Sequence, residues 1–391
     1  MTGLDELYAA LAADAAHLEA SRELPYKSVE LVRRSGLGAL RVPARHGGRG
    51  GTFADLFRIV IDLAAADSNV AQALRPHFGF VEQLISQGGD AERERWFPAV
   101  VAGALIGNAA SERGTAHPGD IETRLTRSPD EDDAYRLNGT KFYSTGSLFA
   151  DHVLVTALDE DDQRVRVLLP SDREGLRLLD DWDSMGQRTT ASGTTVLEDV
   201  RVLPDEIIIE GNWRERRTHL APYFQLYLAA VQTGIAKNAL SDAVAHARDK
   251  ARAVQHAGVA RAVEDPLVQH AVGEIAALAY GAEATVLRAA AAVDDALAET
   301  GPDGIAGTEE ALHDAAVQVA QAQVVAAQAS LRAAERLYDV GGASATLREH
   351  NFDRHWRNAR TLSSHNPIPH KARVAGDYHL NGRTPPLNGF F

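Results

Sequence analysis

Ile106-Gly-Asn-Ala-Ala-Ser-Glu-Arg-Gly-Thr115 and Leu137-Asn-Gly-Thr-Lys-Phe-Tyr-Ser-Thr-Gly146 stand where the hydrophobic period of the chain changes. Around them, His152-Val-Leu-Val-Thr156, Arg164-Val-Arg-Val-Leu-Leu169 and Thr194-Thr-Val-Leu-Glu198 alternate or carry β-branched residues, which predicts strands. Asn138-Gly139 and Gly175 read as the turns between them. The strand pattern starts near Leu105 and ends near Ile209.

On the N-terminal side the pattern is helical from Leu4 to about Gly103, with Leu4, Leu7, Leu11 and Leu18 on one face. Pro25 precedes an amphipathic run that stops at Gly36, and Pro43 to Gly51 is a glycine-rich loop. Thr52 with Asp55 is a helix start ahead of Phe53, Leu56 and Ile59. On the C-terminal side, Leu220 to Arg248, Pro266 to Glu299 and Glu309 to Tyr338 are long alanine-rich helices, with the loop Gly301 to Gly307 between the last two. Alanine at that density lets helices approach closely, as in a four-helix bundle. The tail from Pro367, with Pro369, Gly376, Gly382, Pro385 and Pro386, reads as extended. The expected fold is mainly α with a central β-domain: an N-terminal helical domain over 1–104, a middle β-domain over 105–211 and a C-terminal helical bundle with its tail over 212–391.

Composition excludes several functions. Among 391 residues, 54 acidic against 40 basic side chains give a net charge of −14, and without a basic run this disfavours nucleic acid. The longest apolar stretches, such as Ile59 to Ala66, are interrupted by Asp62 and Asp67 before the roughly 20 residues a bilayer requires. The acidic, amphipathic start Met-Thr-Gly-Leu-Asp-Glu-Leu is unlike a secretory signal, and a cytoplasmic protein is expected. With no cysteine, disulfides, thiolate metal sites and thiol nucleophiles are excluded. The acidic turns Asp130-Glu-Asp-Asp133 and Asp159-Glu-Asp-Asp162 lack the glycine and ligand spacing of a calcium loop and read as hairpin tips, so no metal site is assigned.

The two strand segments quoted first, with Gly186-Gln-Arg-Thr-Thr-Ala-Ser-Gly193 and Leu197-Glu-Asp-Val-Arg-Val-Leu-Pro204, resemble the flavin-binding strands of the acyl-CoA dehydrogenase superfamily. A flavin ring is flat and apolar with a hydrogen-bonding rim, so its site needs amides and hydroxyls at an edge and apolar groups on the faces. Asn108, Ala110, Ser111, Tyr143, Ser144 and Thr145 offer that mixture as a set, although any one of them alone reads better as an ordinary strand residue. The resemblance adds Trp182, Gly342 and Asn366 as cofactor contacts. It also matches Arg252 to the arginine that holds the flavin phosphate, frequently across a subunit interface; the alternative is a solvated arginine on an alanine-rich helix. Flavin sites shared between subunits imply a homotetramer.

One departure points away from dehydrogenation. In Arg357-Asn-Ala-Arg-Thr-Leu-Ser-Ser-His-Asn-Pro367, Asn366 stands where dehydrogenases commonly carry the glutamate that removes an α-proton, and an amide cannot act as that base. The same segment, with Leu337-Tyr-Asp-Val-Gly-Gly-Ala343 and Phe352-Asp-Arg-His-Trp-Arg357, is similar to the monooxygenase branch that includes dibenzothiophene monooxygenase and sulfur-acquisition enzymes. That implies FMNH₂ delivered by a separate NAD(P)H-dependent flavin reductase, O₂ activated as a C4a-hydroperoxide, and a small organosulfur substrate. The implied participants in chemistry are His365 over the flavin, Thr145 at the ring, and His77 in Arg75-Pro-His-Phe-Gly-Phe80, the last equally readable as a packed core residue. Tyr338 stands where FAD-using relatives carry a glutamine before Gly341-Gly342, so FMN is expected over FAD. The aromatic pair that follows the phosphate arginine in organosulfur oxygenases is absent from Arg252-Ala-Val-Gln255. Arg348, Arg354, Arg357 and Arg360 lie among acidic neighbours and read as interface or surface ion pairs. An FAD-dependent acyl-CoA dehydrogenase with a relocated base, or a catalytically silent flavin-binding protein, are the alternatives.

Overall fold

A computed structural model describes residues 2–117, 119–209, 218–299 and 307–386. The expected boundary at 211–212, most of the glycine-rich loop Gly301 to Gly307, and the last residues of the tail lie outside the described residues.

The N-terminal part is helical: α1 (Thr2–Ser21), α2 (Tyr26–Ser35), α3 (Phe53–Ala66), α4 (Ser68–Ala73), α5 (Arg75–Gln87) and α6 (Asp90–Val101). At the start of α3, Thr52 Oγ1 accepts the Asp55 N–H at 3.1 Å and Asp55 accepts the Thr52 N–H at 3.0 Å, a capping box that satisfies two helix-terminal donors. Asp67 caps α4 through the N–H groups of Asn69 and Val70.

The strands that follow are β1 (Ile106–Ala109), β2 (Arg124–Arg127), β3 (Tyr135–Lys141), β4 (His152–Leu158), β5 (Arg164–Pro170), β6 (Leu176–Leu178), β7 (Thr195–Val202) and β8 (Ile207–Ile209). They form one sheet in the order β6-β7-β3-β2-β4-β5-β8, with β1 added parallel to β4. Leu125, Leu137, Val153, Val155, Val167 and Val200 alternate inward to fill its core. Asn138-Gly139 is not a turn but the middle of β3, where the register with β7 slips between Leu137 and Gly139. A side chain at Gly139 would meet Thr123 Oγ1 at 2.3 Å, so the glycine serves a bulge and a close approach rather than a hairpin.

The C-terminal part comprises α7 (Leu220–Asp249), α8 (Pro266–Ala298), α9 (Glu309–Arg336), α10 (Tyr338–Gly341), α11 (Asp353–His365) and α12 (Ile368–Asn381). The three long helices pack through Ala229, Ala230, Ala282, Ala290, Ala316 and Ala326, and α3 joins the same core. By length and composition α8 is apolar enough to cross a membrane, although its Val, Leu and Ile are scattered among alanines rather than forming an unbroken run. Here its apolar stripe packs on α7 and α9.

Two expectations are corrected. The segment after Pro367 is helical through Asn381. Pro369 sits in the first turn, where a missing N–H costs nothing, Val374 and Lys371 are buried, and Gly382 closes the helix at φ 67°. The arginines of α11 are not all surface pairs. Arg354 is buried and donates to Asp242 at 2.6 Å, while Arg357 pairs with Glu19 and Asp353, tying α11 to α7 and α1. Arg348 and Arg360 are exposed.

Candidate active site

Three chain segments meet at one edge of the sheet. Phe142 N–H bonds Ser111 O at 2.9 Å, Ser144 N–H bonds Gly193 O at 3.2 Å, and Ser147 Oγ donates to Asn108 O at 3.0 Å. The end of β1, the Phe142–Gly146 loop and the 182–193 loop therefore form one cradle that contains Asn108, Ala110, Ser111, Tyr143, Ser144, Thr145 and Trp182. Tyr143, Gln187 and Ala191 have φ of 60°, 52° and 51°, left-handed values that side chains other than glycine seldom adopt. Such strain persists where surrounding structure enforces it, typically at functional sites.

The cradle's rim is polar and its wall aromatic. The Tyr143 ring, half exposed, lies 5.8 Å from Trp182, whose Nε1–H donates to Gln187 O at 2.8 Å. Phe142 completes the wall at 6.1 Å from Trp182. Asn108 Oδ1 is buried with no hydrogen-bond partner among the described residues, a costly vacancy unless a ligand donates to it.

A hydroxyl relay fixes what Thr145 offers. Thr190 Oγ1 donates to Gln187 O at 3.0 Å, and Ser192 Oγ lies 2.7 Å from Thr190 Oγ1 and 2.8 Å from Thr145 Oγ1. A hydroxyl has one proton. Since that of Thr190 goes to a carbonyl, Ser192 must donate to Thr190 and Thr145 to Ser192, which leaves Thr145 with lone pairs only. It presents an acceptor, suited to an N–H on the rim of a ring. An orphaned acceptor at Asn108, a committed acceptor at Thr145 and flanking aromatic rings fit a reduced flavin ring.

Beside the cradle, α4, α5, α7 and the end of α11 come together. A side chain at Gly146 would meet Ala73 O at 2.1 Å, so the end of α4 abuts the Thr145 turn and brings the start of α5 alongside. Tyr223 Oη donates to Arg75 O at 2.9 Å, and Arg75 Nη2 donates to Phe224 O at 3.3 Å, joining α5 to α7. His365 ends α11, and Asn366 beyond it donates from Nδ2 to Gln225 Oε1 of α7. His365 is open to solvent yet surrounded deeply enough that burial pushes its pKa down to about 3, with the Arg75 charge acting in the same direction. At neutral pH its imidazole is neutral, a hydrogen-bonding group rather than an imidazolium.

The remaining residues singled out by sequence lie apart from this cluster. His77 is buried, with Nδ1 accepting the Ile106 N–H at 3.3 Å and Nε2–H donating to Gly38 O at 3.0 Å. Both ring nitrogens serve the main chain, and burial pushes its pKa down to about 4. Arg252 is not on a helix but in the exposed loop after α7, with no hydrogen bond or ion pair among the described residues. Gly342 is an exposed turn after α10, at φ 55° and ψ −140°. Sequence reading missed Arg75, Ser192, Thr190 and Gln225. Arg75 carried one usable signal: a cation with Ala71, Gln72, Phe78 and Gly79 at helical spacing has no acidic partner on its own face.

The chain matches the acyl-CoA dehydrogenase N-terminal domain over residues 6–104, the middle domain over 108–200 and the C-terminal domain over 226–368. It is 33% identical over 374 residues to dibenzothiophene monooxygenase of Rhodococcus erythropolis, covering 92% of this chain and 88% of that one. A probable FMNH₂-dependent monooxygenase, SfnC of Pseudomonas putida, is 29% identical over 366 residues, covering 92% and 89%. The crystal structure of TdsC from Paenibacillus sp. A11-2 with FMN and indole superposes with a TM-score of 0.89 at 31% identity, covering both chains completely. Matched in three consecutive domains and along nearly its whole length, the chain belongs to the acyl-CoA dehydrogenase family, in its flavin-dependent monooxygenase branch.

Proposed function

We propose that the enzyme inserts one oxygen atom of O₂ into a small organosulfur substrate, using FMNH₂ that a separate NAD(P)H-dependent flavin reductase delivers. The observation that carries the reading is the junction of α4, α5, α7 and the end of α11 beside the cradle, which we read as the substrate recess: Asn366 occupies the place of a base with its amide engaged by Gln225, and among the described residues no carboxylate pairs with His365 or Arg75. A dehydrogenase needs a carboxylate there to remove an α-proton; an oxygenase needs a dry recess with a positioned N–H.

Bound FMNH₂ supplies the electrons that activate O₂. The protein's own contribution is positional. Tyr143, Phe142 and Trp182 shield the ring, Asn108 and Thr145 accept from its rim, and Ser111, Ala110 and Ser144 shape the edge. His365 holds an N–H toward the oxygen atom to be transferred, and desolvation of the recess limits its loss to water. Arg252 completes the phosphate site, and the exposed apolar residues Leu267 and Tyr280 of α8 and Leu380 of α12 support burial in a homotetramer, which we place in the cytoplasm. Anaerobic titration tests the cofactor: FMNH₂ binding tighter than FADH₂ is expected because Tyr338 replaces the glutamine for the ADP half. Reduction of bound flavin by an acyl-CoA without oxygen would overturn the oxygenase reading in favour of dehydrogenation.

A further inference from the structure

We infer that Arg75 makes the substrate recess a receptor for an organic anion, a carboxylate or sulfur oxyanion held by the guanidinium with the atom to be oxidised directed toward His365. This rests on reading the recess as the substrate site. Three other arginines withdrawn from water are matched by carboxylates, Arg41 with Glu82 at 2.6 Å, Arg354 with Asp242 at 2.6 Å, and Arg173 with Glu206, whereas Arg188 is held by the Glu19 and Ala20 carbonyls. Arg75 is only partly accessible, its Nε is buried with no hydrogen-bond partner, and among the described residues no carboxylate pairs with any of its nitrogens. Burial pulls its pKa down from the ordinary arginine value, yet the guanidinium remains the charged group of the recess. Desolvating a cation without a counter-charge is costly, and a bound anion would offset that cost at Arg75.

The guanidinium is also held ready. Nη2 donates to Phe224 O at 3.3 Å, the Phe224 ring lies 5.1 Å from the guanidinium carbon, and Tyr223 Oη fixes the Arg75 carbonyl at 2.9 Å. Pro76 follows directly and stiffens the turn into α5. Nη1 makes no hydrogen bond among the described residues, so the fork keeps donors for a planar oxyanion. The groups around it are Phe224 and Tyr223 from α7, with Tyr227 behind and His365 at the end of α11, all uncharged at neutral pH. A bound anion would be the counter-charge this recess lacks.

The test is equilibrium binding to wild type and variants without turnover, by calorimetry and thermal shift. The probes are benzoate and benzenesulfinate, against the neutral isosteres benzamide and methyl phenyl sulfoxide. Wild type is expected to bind each anion at least tenfold more tightly than its isostere. Arg75→Gln should lose about ten- to hundredfold of anion affinity, the range for charge-assisted hydrogen bonds, with isostere binding unchanged. Arg75→Lys should keep part of the preference, which also controls for misfolding. Equal affinity for anions and isosteres, or unchanged anion binding in Arg75→Gln, overturns the assignment. So does a variant that binds FMN less tightly while riboflavin binding is unaffected, since Arg75 would then be serving the cofactor phosphate. If anions bind through Arg75 but no oxygenated product forms from any of them with FMNH₂ and O₂, the anion site stands and the oxygenase reading fails.

Discussion

The main-chain N–H of Gln187 donates to Asn358 Oδ1 at 2.5 Å, and Asn358 Nδ2 donates in turn to Ser68 Oγ at 3.2 Å. One buried amide thus joins the cradle loop of the β-domain to α11 and α4, and the same Gln187 carries the carbonyl that anchors both Trp182 and the hydroxyl relay. His365 lies two turns further along α11, so Asn358 sets the position of the histidine against the ring site.

Asn358→Ala should therefore strand a buried N–H at Gln187 and destabilise the protein by about 1–3 kcal/mol. Urea denaturation measures this. The variant should also bind FMN less tightly, because the strained Gln187 turn relaxes; a stable variant with unchanged flavin affinity would show that the linkage is incidental.

Thr145 is expected to act as an acceptor alone. Thr145→Ser keeps the oxygen and should bind FMNH₂ like wild type, whereas Thr145→Val should weaken it about five- to tenfold, the worth of one neutral hydrogen bond. The loss should be smaller for oxidised FMN, which carries no N5–H to donate. Unchanged FMNH₂ affinity in Thr145→Val would contradict the acceptor role deduced from the relay.

Arg252→Ala should weaken FMN binding by roughly 1.5 to 3 kcal/mol while leaving riboflavin binding and folding intact, because only the phosphate is lost as a partner. Unchanged FMN affinity would return Arg252 to an ordinary exposed arginine.

Acid should unfold the protein through its buried histidines. Burial holds His77 and His355 neutral, both pushed down to about 4, with Arg354 adding to the effect at His355. A folded pKa below the unfolded 6.5 means that the stability is fully present above about pH 6.5 and is lost as pH falls toward 4, on the order of 2 kcal/mol per histidine by pH 5. Asp67, raised to about 6 by burial, works the other way over part of this range, but it is one group against three, since His365 is pushed down to about 3. The urea midpoint should fall between pH 7 and pH 5, and His77→Gln should flatten that dependence; an identical slope would show that His77 takes up no proton on unfolding.

Sequence pattern revealed the order of helices, sheet and bundle because helical and strand periods differ and both are long here. It misread local exceptions whose cause is tertiary. Pro369 and Gly376 look like breakers until Pro369 falls in a first turn and Val374 is packed. Asn138-Gly139 looks like a hairpin until Thr123 is found pressing on Gly139. The cradle was legible because its residues occupy three recognisable segments, whereas the hydroxyl relay depends on the direction of protons, and Arg75 depends on the absence of a partner that only packing can establish. His77 shows the converse: its motif drew attention, and its bonding to Gly38 and Ile106 is that of a histidine stapling main chain together.

The central claim is oxygen transfer supported by the His365 recess, and it is tested most directly in a single turnover with FMNH₂ and ¹⁸O₂ across neutral and anionic organosulfur compounds. Wild type should place one ¹⁸O atom in the product and release little hydrogen peroxide. His365→Ala should bind FMNH₂ normally yet form product about 10²- to 10⁴-fold more slowly, with peroxide taking its place. Product free of ¹⁸O, or a His365→Ala enzyme with undiminished coupling of oxygen to product, would contradict the account.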